Sequence, residues 1–182
     1  ISDNLIVSNT YSISHDITPN VKDKTVSYTY DKKAKKPSVI VMDDKGNVIA
    51  GTNYDVKYPA GRKKIGKYTV KVTFKGDYSG TKNLAFQILP PKTAIKSLKA
   101  GSKSLVLKWK KKKGITGYEI QYSTSKNFKK GTKKLRIKSS KKTSATIKKL
   151  KSKKKYYVRI RTYKKVGKKY YYSKWSAKKI ER

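Results

Sequence analysis

Tyr68, Val70, Val72 and Phe74 alternate with Lys67, Thr69, Lys71 and Thr73. A period of two sends successive side chains to opposite faces, so this run predicts a strand with one buried and one wet face. In the first half of the chain, strands are expected at Ser38–Met42, Asn53–Tyr58, Lys67–Phe74 and Thr81–Leu89. Two turn clusters punctuate them, Asp43-Asp44-Lys45-Gly46-Asn47 and Lys75-Gly76-Asp77-Tyr78-Ser79-Gly80, both rich in residues that tolerate positive φ. In the second half the same reading gives seven strands: Thr93–Ser97, Ser104–Lys110, Gly117–Ser123, Leu135–Lys138, Ser144–Leu150, Tyr156–Tyr163 and Tyr171–Lys178. No helical period of comparable length occurs. The expected class is all-β, with two tandem β-sandwiches.

Leu89-Pro90-Pro91-Lys92 marks the boundary, because adjacent prolines remove consecutive backbone donors, fix φ and end the preceding strand. The expected organisation is a first sandwich over 1–89, a short stiff hinge over 90–92 and a second sandwich over 93–182. Within the first sandwich, 1–25 has no clear pattern, though Tyr11-Ser12-Ile13 and Val21 are candidates for a first strand.

Charge changes at the same boundary. The chain of 182 residues has a net charge of +39. Residues 1–90 hold 15 basic and 8 acidic side chains, whereas 91–182 hold 34 basic ones against Glu119 and Glu181 alone. An apolar fraction of 35% at this charge resembles the composition of a disordered chain. The placement of the 15 Tyr and 2 Trp in alternating runs with Val and Ile argues instead for buried cores.

Two resemblances follow from particular residues. Tyr30, Lys36-Pro37, Val39, Val41, Gly46, Gly51-Thr52-Asn53-Tyr54, Tyr58, Gly66, Val70, Val72, Lys75–Thr81, Phe86 and Ile88 together resemble a bacterial Ig-like repeat of large surface proteins in Gram-positive anaerobes. The match runs from about Val26 to Leu89, and its most specific part is Lys75–Thr81. The second unit resembles a fibronectin type III domain. Leu105-Val106-Leu107-Lys108-Trp109 is similar to the second strand of that family with its buried Trp, and Gly117–Ser123 is similar to the third. Leu150 followed by Tyr156 has the spacing of the tyrosine corner, in which the phenol oxygen bonds the backbone near the leucine. Ser152 stands where the family often has Pro.

In Tyr156–Tyr163, alternation sends Tyr156, Val158 and Ile160 inward and leaves Tyr157, Arg159, Arg161 and Tyr163 outside. Tyr172-Ser173-Lys174-Trp175-Ser176 resembles the Trp-Ser-x-Trp-Ser motif of cytokine-receptor modules, with Tyr in place of the first Trp. That resemblance implies a cation–π ladder of Arg159, Arg161, Tyr172, Trp175 and Tyr157, each contact being worth roughly 0.5–2 kcal/mol. The alternative use of these residues is an aromatic platform for sugars or bases, extended by Tyr170 and Tyr171. Rings stacked on arginines would rule that platform out.

The lysine clusters are candidates for contact with an anionic polymer: Lys110, Lys111, Lys112 and Lys113; Lys153, Lys154 and Lys155; Lys164 and Lys165; Lys168 and Lys169. Most are expected at turns. Their simpler role is a solvated surface with charged sheet edges. The sharper one is attraction to teichoic acid, extracellular DNA or sulfated glycan, with low specificity and a strong salt dependence, because ammonium groups make diffuse rather than bidentate contacts.

Catalytic chemistry has little to work with. His15 is the only histidine and there is no Cys, so neither a triad nor a thiolate or multi-histidine metal site is expected. Asp43-Asp44 and Asp77 sit in turn contexts, and Lys45 occupies a position where a calcium loop needs oxygen. No helix-turn-helix, zinc-finger or RNP-like pattern is present. Alternation places Glu119 outward between Tyr118 and Ile120, away from any Lys–Asn cross-link in the core. No cofactor, no metal and no membrane insertion are expected. The lack of a start methionine suggests a fragment or a mature product, expected to act as a monomer within a longer multidomain chain, with any targeting signal outside it. The family resemblances imply an extracellular, secreted or wall-associated protein that acts without catalysis as a spacer or adhesion scaffold. The alternatives are a polyanion-binding module for wall retention and an accessory carbohydrate-binding module.

Overall fold

In the computed structural model, which describes residues 4–8, 26–42 and 47–181, the chain divides into two compact units, Ile1–Ile88 and Leu89–Arg182. The described residues are all-β, with a single 3₁₀ turn at Gly51–Asn53 and no α-helix.

The first unit contains β1 (Asn4–Ser8), β2 (Val26–Thr29), β3 (Ser38–Met42), β4 (Tyr54–Lys57), β5 (Gly66–Phe74) and β6 (Thr81–Leu89). β1 and β3 pair in parallel, while the other strands form a sheet in the order β2-β6-β5-β4. The alternation of β5 appears as expected: Val70, Val72 and Phe74 are buried and Lys67, Thr69, Lys71 and Thr73 exposed. Across the β5–β6 pair, Val70 faces Leu84 and Tyr68 faces Phe86, with the Tyr68 and Phe86 rings stacked 5.3 Å apart. Gly76 turns the chain between these strands at φ 69°, a conformation that costs glycine little. The Lys75 N–H donates to Asn53 O (2.9 Å), which ties this turn to the 3₁₀ segment.

Tyr11-Ser12-Ile13, Val21 and Asp43-Asp44 lie outside the described residues, and the first described strand is Asn4–Ser8. Met42 and Val48 form an antiparallel bridge.

The second unit is a sandwich of two sheets. One has the order β11-β8-β7, built from β7 (Ile95–Gly101), β8 (Ser104–Trp109) and β11 (Ser144–Ile147). The other has the order β10-β9-β12-β13, from β9 (Gly117–Ser123), β10 (Lys133–Ile137), β12 (Tyr156–Val166) and β13 (Lys169–Tyr172), with β14 (Lys179–Glu181) also paired to β12. Leu105, Leu107, Trp109, Tyr118, Ile120, Ile147, Val158 and Ile160 fill the space between them. Trp109 is 1% exposed and its ring lies 5.2 Å from that of Tyr118.

Of the expected last strand, Tyr171–Lys178, only Tyr171 and Tyr172 lie in a strand, β13, and the next strand, β14, begins at Lys179. Serine side chains take over the ladder between them. The Ser173 and Ser176 N–H groups donate to Thr162 O (3.1 Å) and Ile160 O (2.8 Å). In return, the Thr162 and Ile160 N–H groups donate to the hydroxyls of Ser173 and Ser176, each at 3.1 Å. Each hydroxyl then donates to the next backbone carbonyl, Lys174 O or Ala177 O. The backbone of β12 is thus satisfied without a regular neighbour, which frees the intervening residues to turn their side chains onto the sheet.

Candidate functional site

The outer face of the β10-β9-β12-β13 sheet carries a continuous stack of cations and rings. The Arg159 guanidinium lies 4.1 Å from the Phe128 ring and 4.5 Å from Trp175. Arg161 lies 4.3 Å from Trp175 and 3.9 Å from Tyr172. Arg136 continues the series, 5.0 Å from Tyr170 and 5.4 Å from Tyr163, and Lys165 sits 5.9 Å from Tyr170 at its end.

Strand register assembles it. Arg159 faces Gln121 and Arg161 faces Glu119 across β9–β12, while Arg136 faces Glu119 across β9–β10. Nε and Nη2 of Arg161 both donate to Glu119 Oε1 (2.9 and 2.6 Å), and Nη2 of Arg136 donates to Glu119 Oε2 and to the Tyr172 hydroxyl, each at 3.0 Å. Arg159 makes the equivalent fork to an uncharged acceptor, Gln121 Oε1, at 2.8 and 2.6 Å. Burial alone would raise the Glu119 carboxyl; the hydrogen bonds from Arg136 and Arg161 outweigh it and hold the group below its ordinary value.

Sequence pattern placed Glu119 outward, and it does stand on the outer face, yet it is only 2% exposed because the arginines lie over it. Tyr163, also expected outside, is 2% exposed, covered by Tyr170, Tyr172 and Arg136. Burial pushes its phenol up. Of the five ladder candidates, Arg159, Arg161, Tyr172 and Trp175 come together, whereas among the described residues no cation lies over the Tyr157 ring. Pattern missed Arg136 and Phe128. Phe128 holds its place at φ 55°, an uncommon conformation for a bulky residue, secured by its N–H to Ser125 O (3.1 Å) and by the Thr132 hydroxyl donating to its carbonyl (2.8 Å). With guanidinium groups over Tyr172 and Trp175, those ring faces are not open to a sugar.

The Tyr156 hydroxyl accepts the Lys151 N–H at 3.1 Å, beside the buried Leu150. Lys110, Lys111 and Lys113 are exposed and Lys112 half-buried on the segment after β8. Lys153, Lys154 and Lys155 are exposed before β12, and Lys168 is exposed on the β12–β13 turn. Lys164 and Lys165 were expected in a turn, but β12 runs on to Val166, and they pair with Tyr171 and Tyr170. Lys169 opens β13. A cleft of about 240 Å³ between Gly101, Lys103, Lys151, Lys153 and Tyr156 has Glu181 as its one carboxylate. No cluster of metal-binding side chains occurs among the described residues, and no helix there is long and apolar enough to cross a membrane.

The fibronectin type III domain model matches residues 89–179. Among solved structures, the chain is similar to the chicken CNTN1 FN1-FN3 domains, with 21% identity and a TM-score of 0.41 over 65% of this chain and 44% of that one. It therefore spans less than half of that structure's length. It is also similar to a structure titled "Myokine structure", with 16% identity and a TM-score of 0.37 over 50% of this chain and 89% of that one. No curated protein sequence matches it. From Leu89 onward the strand order, the buried Trp109 and the Tyr156 hydrogen bond coincide with the matched span, and the chain belongs to the fibronectin type III family.

Proposed function

We propose that the chain is a non-catalytic extracellular module of a secreted or wall-associated protein of a Gram-positive bacterium. In this reading a bacterial Ig-like repeat and a fibronectin type III domain act as a spacer and adhesion scaffold, with Pro90-Pro91 as a stiff joint. The observation that carries it is the arginine–aromatic stack: the aromatic face of the second unit is filled by the protein's own side chains, an arrangement that consolidates a sheet.

A second reading, a polyanion-binding module for wall retention, is favoured by one observation. Residues 91–182 carry 34 basic side chains against 2 acidic ones, most of them exposed lysines. Binding of the full chain to wall teichoic acid, heparin and duplex DNA across a salt titration separates the two. Joint release of all three polymers as salt rises supports the spacer. Retention of one polymer at physiological salt, with the others released, replaces the spacer with a receptor.

A further inference from the structure

Arg159 and Arg161 are clamped on three sides. Nε and Nη2 of each donate to one acceptor oxygen, and two rings lie against each guanidinium: Phe128 and Trp175 for Arg159, Trp175 and Tyr172 for Arg161. What remains on each is its end, made of Nη1 and the outer proton of Nη2. No protein acceptor reaches Nη1 in either residue, and neither atom is sealed from solvent, since buried unpartnered atoms occur only at Arg62 and Trp109 among the described residues. The Arg161 side chain is 22% exposed. Each guanidinium therefore keeps one pair of parallel N–H donors, shaped to take two oxygens of one oxyanion, and both groups lie within 4.5 Å of the Trp175 ring centre.

The charge on this face is short of anions. Arg136 and Arg161 share one carboxylate, Glu119, the acceptor of Arg159 is an amide, and Lys165 lies over Tyr170. Burial and the neighbouring Arg161 both push the Arg159 guanidinium below its ordinary value, an effect that a bound anion would reverse.

We infer that the ends of Arg159 and Arg161 form a paired seat for two successive oxyanion groups of a polymer, sulfate esters or phosphodiesters, lying across the edge of Trp175. The inference rests on the polyanion reading and narrows it from diffuse lysine contact to a fixed site. A flexible lysine must be immobilised on binding, whereas these forks are held in place before any ligand arrives.

The test uses the full chain at physiological salt with two probes, a heparin-derived octasaccharide and a short poly(glycerol phosphate). The side-chain Nε–Hε NMR signals of Arg159 and Arg161 are followed during titration. Both signals are expected to shift, and Arg159→Lys, which keeps the net charge, is expected to weaken binding about tenfold. Lys153→Gln with Lys154→Gln removes two charges and is expected to weaken it less. The probe that binds more tightly identifies the ester. Unmoved arginine signals at saturation overturn the seat, as does equal affinity of a folded Arg159→Lys variant, and binding then belongs to the lysines. If neither probe binds the wild-type chain, the polyanion reading falls with it. Should Arg159→Lys fail to fold, the signals of the wild-type chain decide.

Discussion

Glu119 and Arg161 meet across the β9–β12 pair with two nitrogens of the guanidinium on a single carboxylate oxygen, and the other carboxylate oxygen takes Arg136. Only 3% of the glutamate side chain is exposed. Glu119→Gln removes the charge that both arginines share and puts an amide N–H₂ against one of them. The expected loss is about 2–3 kcal/mol of stability at neutral pH, read from urea unfolding. An unchanged midpoint would mean that the stack contributes nothing.

The same carboxylate makes stability depend on pH. Its folded-state value lies below the ordinary 4.5, so the unfolded chain binds the proton more readily than the folded one. The stabilisation is complete above about pH 4.5 and is lost as pH falls through the lower folded value. Between pH 6 and pH 3 the wild-type chain is expected to lose more stability than Glu119→Gln, measured as thermal midpoints in parallel buffers. Parallel slopes would remove Glu119 as the cause.

Ser176 is 8% exposed, and its hydroxyl is the acceptor for the buried Ile160 N–H. Ser176→Ala orphans that donor at an expected cost of about 1–2 kcal/mol. Amide hydrogen exchange at Ile160 is expected to accelerate while exchange at Leu107, in the opposite sheet, follows global stability only. Uniform acceleration at both sites would show a general loss of stability and no local role.

Gly117 is required for space. A Cβ built there collides with the Ile137 carbonyl oxygen and comes within 3.0 Å of the Tyr163 hydroxyl. Backbone atoms cannot move aside as a side chain does, so Gly117→Ala is expected to splay the β9–β10 pair and cost about 3 kcal/mol. Calorimetry checks this, and a midpoint within 2 °C of wild type would contradict it.

Much of this architecture is legible as alternation. Gly117–Ser123, Ser38–Met42 and Thr81–Leu89 have the bounds that their patterns predict, and in Thr81–Leu89 the burial itself alternates. The break between β13 and β14 is not visible as a period, because it depends on hydroxyls that replace backbone groups at Ser173 and Ser176. The burial of Glu119 is hidden for a similar reason. Its position in the alternation is outward, and its cover comes from residues 17 and 42 positions later in the chain. Arg136 had one available signal, its rarity among lysines. Phe128 had none, as nothing in a loop sequence predicts that an aromatic residue will adopt a positive φ and reach back over a strand.

The stack draws Phe128 from the loop after β9, Arg136 from β10, Arg159 and Arg161 from β12, and Tyr172 and Trp175 from β13 and the segment that follows it. It exists only when all four segments have docked, so it opens with the first of them to leave. In a chain with 49 Lys and Arg residues, nearly every opened loop is a cleavage site for a protease that cuts after basic residues. By holding four segments closed at once, the six-residue clasp keeps such sites out of a protease's reach.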